Sequence, residues 1–197
     1  MGMPATRRRW TIAEVRALTR EGRPWPRYEL IGGELLVTPA PRGAHQYIVT
    51  ELTVLLHAYL ERWPIGHVLV SPADLELEPG TITQPDVFVV PTDTRIAGEV
   101  FEWSDVKRLL LAVEVLSASN VRTDRVVKRD FYLDHGVAEY WVVDVDARIV
   151  ERWTASREAP VVERGLLKWT PGSVDAMVLD LDALFDSVAR KIAMFGR

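Results

Sequence analysis

Residues 109–116 read Leu-Leu-Leu-Ala-Val-Glu-Val-Leu, a continuous apolar strand interrupted by one carboxylate, Glu114. The run is far too short to span a bilayer. Leaving a carboxylate unpaired inside such a strand costs on the order of several kcal/mol, so the fold must give Glu114 a cation or hydrogen-bond donors. Asp86 poses the same demand. It opens Asp86-Val87-Phe88-Val89-Val90, which reads as a buried strand closed by Pro91. Either acid alone reads as a strand-end residue or half of an internal salt bridge. Two of them on strands that could be neighbours could share one Mg²⁺, which favours oxygen ligands and keeps some of its waters.

The rest of the pattern supplies the layers around those strands. Thr11 caps a short helix over residues 11–19, with Val15 and Leu18 at helical spacing, and Arg23-Pro24-Trp25-Pro26 breaks it. Two apolar runs, residues 28–31 and 34–37, flank Gly32-Gly33 and predict a hairpin. Ile48, Leu52, Leu55, Leu56, Tyr59 and Leu60 recur every three or four residues and predict a helix over 43–62, stopped by Pro64. Strands are expected at 67–71, 75–78, 86–90, 109–116, 139–143, 149–153 and 165–169. Helices are expected at 124–135 and 181–194, and residues 92–105 read as a loop. This order predicts an α/β fold: a mixed central β-sheet flanked by helices.

With 197 residues, 48% hydrophobic and 26% charged, the chain suits a single domain with one sizeable core. We expect a central part over about 28–153, with the N-terminal helix (11–20) and the C-terminal strand and helix (165–194) as additions. The absence of cysteine excludes disulfides and thiolate metal sites. Arg7, Arg8 and Arg9 precede Trp10 with no apolar run of the kind a signal peptide needs, so a cytoplasmic location is the expectation. The net charge of −4 argues against a protein that coats nucleic acid, although a local basic strip can still hold phosphates.

The chemistry needs a cationic group beside the acids. Position 116, two beyond Glu114, is leucine, so the nearest lysine is Lys128 on the following helix, with Arg122, Arg125 and Arg129 around it. Spacing alone assigns most of these to a solvated face. Aimed at the carboxylate pair, a lysine would instead orient or deprotonate water and stabilise a pentavalent phosphate. Two like charges in a poorly solvated place predict a raised pKa for at least one acid, and an apo protein made more stable by Asp86→Asn. Histidines 57, 67 and 135 show no ligand spacing. No serine nucleophile elbow, phosphate-cradling glycine loop or metalloprotease helix is present.

In order, Gln84-Pro85-Asp86, Val113-Glu114-Val115-Leu116-Ser117, Asp124, Lys128, Tyr132, Gly136-Val137 and residues 139–144 resemble the Uma family of endonucleases. That family lies within the PD-(D/E)XK superfamily. Residues 28–35, Pro39 and His45 extend the likeness, which spans roughly 28 to 153 and, more weakly, 179–185. The resemblance implies a restriction endonuclease-like core and Mg²⁺- or Mn²⁺-dependent hydrolysis of DNA. It implies Asp86 and Glu114 as metal ligands, Lys128 as the active-site lysine and Glu34 as a further carboxylate. His45 and Arg125 are auxiliary candidates. Two other readings stand beside it: a catalytically degenerate module that keeps the fold to bind or regulate, and a structural subunit whose carboxylates pair across an interface. A homodimer is one assembly the sequence allows.

Overall fold

The computed structural model describes residues 8–19, 25–96, 98–117, 120–156 and 158–195. The expectations touching Arg7, Arg20, Arg23 and Pro24 fall outside these residues. Helix α1 (Ile12–Thr19) begins where Thr11 Oγ1 accepts the Glu14 N–H at 3.3 Å and Glu14 Oε2 accepts the Thr11 N–H at 2.9 Å. This reciprocal capping satisfies two donors that a helix start otherwise leaves open. Strands β1 (Arg27–Ile31) and β2 (Glu34–Thr38) form the expected hairpin. Gly32 and Gly33, at φ 57° and 79°, supply the left-handed pair that a two-residue turn between twisted strands requires.

Six strands form the central sheet, in the order β3 (Gly66–Val70), β4 (Val87–Pro91), β5 (Leu111–Val115), β6 (Glu139–Asp144), β7 (Ile149–Trp153) and β8 (Val161–Glu163). Neighbours are antiparallel except β5 and β6, which are parallel and therefore need a crossover between them. That crossover is helical: a π-helical turn over Thr123–Lys128 continues into α3 (Arg129–Asp134).

Both faces of the sheet are covered, which is why β4 and β5 are apolar at nearly every position. On one face, Val87, Val89, Leu111, Val113 and Trp141 pack against α2 (Gly43–Arg62) and α4 (Leu181–Ala193). Trp169 and Leu179 of the separate β9 (Leu166–Trp169) and β10 (Met177–Asp180) ladder join the same core. On the other face, Phe88, Ala112, Tyr140 and Val142 meet Phe131 and Tyr132 of α3 and Ile31 and Leu36 of the hairpin. Strand side chains alternate, so Asp86, in phase with Phe88, and Glu114, in phase with Ala112, emerge on this second face.

The structure corrects several sequence expectations. Residues 75–78 form no strand; only Leu75 bridges Thr83, because the segment runs beside the hairpin rather than along a sheet edge. The helix expected over 124–135 starts as a wide π turn, which changes the direction its side chains take. Strands β8 and β10 were not anticipated. No described helix is long and apolar enough to cross a membrane.

Candidate active site

The register of β4 and β5 builds the centre. Val87 pairs with Val113, so the next step outward sets Asp86 across from Glu114. The Val115 N–H, no longer part of the ladder with β4, donates to Asp86 Oδ2 at 3.0 Å. Arg27 Nη2 donates to Asp86 Oδ1 at 2.7 Å, and His45 Nε2 lies 2.9 Å from Oδ2. Arg27 comes from the first position of β1 and His45 from the first turn of α2, so two elements outside the sheet converge on one carboxylate.

Lys128 performs the same service for Glu114. Its Nζ donates to Glu114 Oε1 at 3.0 Å, lies 2.7 Å from Glu29 Oε2 and 3.8 Å from Asp124 Oδ1. All four groups are almost fully buried. The start of the crossover helix makes this arrangement: Asp124 and Lys128, four residues apart, share one helix face, and that face is turned inward. The Tyr140 hydroxyl pins the turn to β6 by donating to the Asp124 carbonyl at 2.8 Å. The solvated face expected from spacing is therefore absent at Asp124 and Lys128.

Glu29 has a second task. Its Oε1 accepts the Gln84 N–H at 2.7 Å, while Leu30 and Ile82 exchange backbone hydrogen bonds at 2.8 and 2.9 Å. The hairpin thus fixes the segment that delivers Asp86. Arg27, Glu29, Asp86, Glu114, Asp124 and Lys128 all line one cavity of about 200 Å³.

Four carboxylates share this space with two guanidiniums, one ammonium and one imidazole, and their burial together shows in their titration. Burial would raise Asp86, but the His45 hydrogen bond, the Arg27 guanidinium and the Val115 N–H hold it well below the usual carboxylate range. Burial pushes Glu114 well above its ordinary value; Lys128 offsets part of this, and Asp86, Asp124 and Glu29 add to it. Burial likewise pushes Asp124 up to about 7, against the pull of Lys128. Burial would lower Lys128, yet Glu114, Glu29 and Asp124 together keep its pKa well above the ordinary lysine value. The raised pKa expected from the sequence falls on Glu114 and Asp124 and not on Asp86.

Two sequence candidates lie elsewhere. Glu34 is exposed at the tight end of the hairpin and borders a different hollow, with Arg8, Arg9 and Trp10. Side chains alternate along a strand, and Glu29 is the hairpin acid that points inward. Arg125 reaches Glu151 at 2.7 Å and Asp144 at 3.0 Å across β6 and β7, outside the cavity. Sequence reasoning missed Arg27 and Glu29 as site residues. The available signal was Glu29 between apolar neighbours in a strand preceding a turn. Asp124 was visible only as a member of an ordered motif, and its spacing of four from Lys128 was the clue.

Mixed sheet, covering helices and a buried carboxylate–lysine centre define a nuclease-type fold. Residues 12–173 match the Uma2 family, described as "Putative restriction endonuclease". The chain therefore belongs to the Uma2 family. A crystal structure from Anabaena variabilis, of "a putative nuclease belonging to DUF820", has the same fold with a TM-score of 0.70. The two are 21% identical, over 91% of this chain and 99% of that one. A comparison with curated proteins finds no match.

Proposed function

We propose that this protein is an endonuclease that hydrolyses DNA phosphodiester bonds with the help of Mg²⁺ or Mn²⁺. One observation carries the reading: Asp86 and Glu114 stand across from each other on β4 and β5, with Lys128 bonded to Glu114, in one cavity.

The residues fit a hard dication. Asp124 Oδ1 is buried without a hydrogen-bond partner, and Glu114 and Asp124 are both pushed up, by burial first and then by the neighbouring acids. Among the described residues, no group of three or more His, Asp or Glu side chains is arranged to hold a metal by itself. Mg²⁺ does not need such a cage, since one or two carboxylates, waters and substrate phosphate oxygens suffice. Asp86 and Glu114 would hold it. Once bound, such an ion polarises the phosphoryl oxygen and lowers the pKa of water.

The chain's own groups do the remaining work. Arg27 and His45 fix the Asp86 carboxylate in one orientation, and Glu29 holds Lys128 in place. The Lys128 ammonium stays charged beside the reacting centre, where it stabilises the negative charge that builds up as water attacks phosphorus and the P–O bond to the leaving strand breaks.

The second reading, a degenerate binding module, is favoured by one feature: both Asp86 oxygens are already satisfied by Arg27, His45 and the Val115 N–H. Supercoiled, linear, branched and single-stranded DNA, incubated with and without Mg²⁺ or Mn²⁺, separate the two. Cleavage that needs the metal and disappears in Glu114→Gln supports the endonuclease. No cleavage of any form, with DNA still bound, supports the module.

A further inference from the structure

The acids of the cavity are grouped around Lys128, but the groups on the far side of Asp86 are basic. Arg27 contacts Asp86 directly, and Arg42 stands at the start of α2, one turn before His45; all three line the cavity. Resting on the phosphodiester reading, we infer that Arg27 and Arg42, with the N-terminus of α2, form the subsite that grips the non-bridging oxygens of the substrate phosphate.

Arg27 is only 8% exposed, and of its five N–H donors Nη2 serves Asp86 while Nε is buried without an acceptor. A buried donor left unpaired is costly, so the guanidinium gains from a small turn that hands a donor to an incoming anion. Its Cζ stands over the Trp25 ring, 4.7 Å from the centroid, so the ring holds the guanidinium from one side by cation–π attraction. Planar, multiply donating guanidinium suits a phosphate's paired oxygens better than an ammonium does.

Arg42 supplies the second grip. It is the exposed N-cap of a 20-residue helix whose first turn holds no acid and whose cap makes no side-chain hydrogen bond. The first N–H groups of a helix lack intrahelical acceptors and carry the positive end of its dipole. The first acid along the helix, Glu51, lies about two turns from that end. Arg42 also borders a neighbouring groove with His45 and Ser117, so it stands where a polymer would leave the cavity. The phosphate is thereby held on the Asp86 side while Lys128 acts from the Glu114 side.

Dimethyl phosphate in the presence of Mg²⁺ is the probe. Its binding is followed by NMR on the arginine Nε–H signals, with Arg27 assigned by its loss in Arg27→Lys. The inference predicts a saturable shift of the Arg27 signal and binding weakened about tenfold in Arg42→Ala. Because Arg42 is exposed, that variant keeps the result readable even if Arg27→Lys does not fold. On a duplex oligonucleotide, Arg42→Ala should also lower the dependence of log Kd on log salt by about one charge. No shift at Arg27, or equal affinity in Arg42→Ala, overturns the subsite. DNA cleavage by the wild type, run alongside, keeps the two readings apart. Cleavage with unchanged phosphate binding retires only the subsite. Phosphate bound through both arginines, with no DNA cleaved, retires the nuclease and leaves the subsite standing.

Discussion

The Lys128 ammonium donates to Glu114 Oε1 at 3.0 Å across a separation of 14 residues. No spacing rule links the two. The link exists because a parallel β5–β6 pair forces a helical crossover, and the first turn of that crossover passes directly over the end of β5. The position two beyond Glu114 therefore need not carry the cation, and Leu116 can occupy it.

Lys128→Met should abolish cleavage and cost about 3–5 kcal/mol of stability, since Glu29 and Glu114 would remain buried without their cation. Urea denaturation and the DNA assay check both. A Lys128→Met protein that cleaves at the wild-type rate would remove lysine from the chemistry.

Asp86→Asn should destabilise the apo protein, by about 1–3 kcal/mol, because Arg27 and His45 lose the charge they surround. The sequence alone suggested the opposite sign. Glu114→Gln, removing an acid that burial pushes up, should cost less than Asp86→Asn or stabilise the fold. Melting temperatures of the two variants without metal decide the order.

Stability should depend on pH with a sign set by Asp124. Its folded pKa of about 7 lies above the ordinary aspartate value of 3.8, so the folded state binds a proton more tightly than the unfolded chain. Between pH 7 and about 4, stability should rise as pH falls, by up to about 1.4 kcal/mol per unit for this one group. Glu114 adds in the same direction; Asp86, held low, acts oppositely, and its contribution is lost only as pH falls below the ordinary carboxylate range. Asp124→Asn should flatten the rise. Denaturation at pH 5, 6, 7 and 8 for both proteins measures it.

Added Mg²⁺ should stabilise the wild type by mass action, by about 2.7 kcal/mol at a hundredfold excess over Kd, and so raise its melting temperature. Asp86→Asn and Glu114→Gln should lose the response. A wild-type melt unmoved at millimolar Mg²⁺ and Mn²⁺ would mean that these acids hold structure only.

Glu34→Gln and Arg125→Ala should leave cleavage unchanged, because neither side chain lines the cavity. Arg125→Ala should cost up to about 1 kcal/mol, as its pairs with Asp144 and Glu151 are partly exposed. Loss of activity in either variant would redraw the site.

The sequence by itself determined the hairpin, the long α2 helix and the apolar strands, because each rests on local periodicity or on turn chemistry at Gly32-Gly33. It also marked Asp86 and Glu114, since a carboxylate in an apolar strand conflicts with its own neighbours. Tertiary structure alone decided which acids and cations meet. Whether Glu29 or Glu34 points inward depends on how the hairpin docks against Ile82, and whether Lys128 or Arg125 faces the acids depends on which face the crossover helix turns toward β5. Both are set by long-range packing, and a change of one residue in register or in helical phase exchanges one charged side chain for another. Local patterning records which residues must be buried, but it carries no measure of the angle from which a distant element brings its charge.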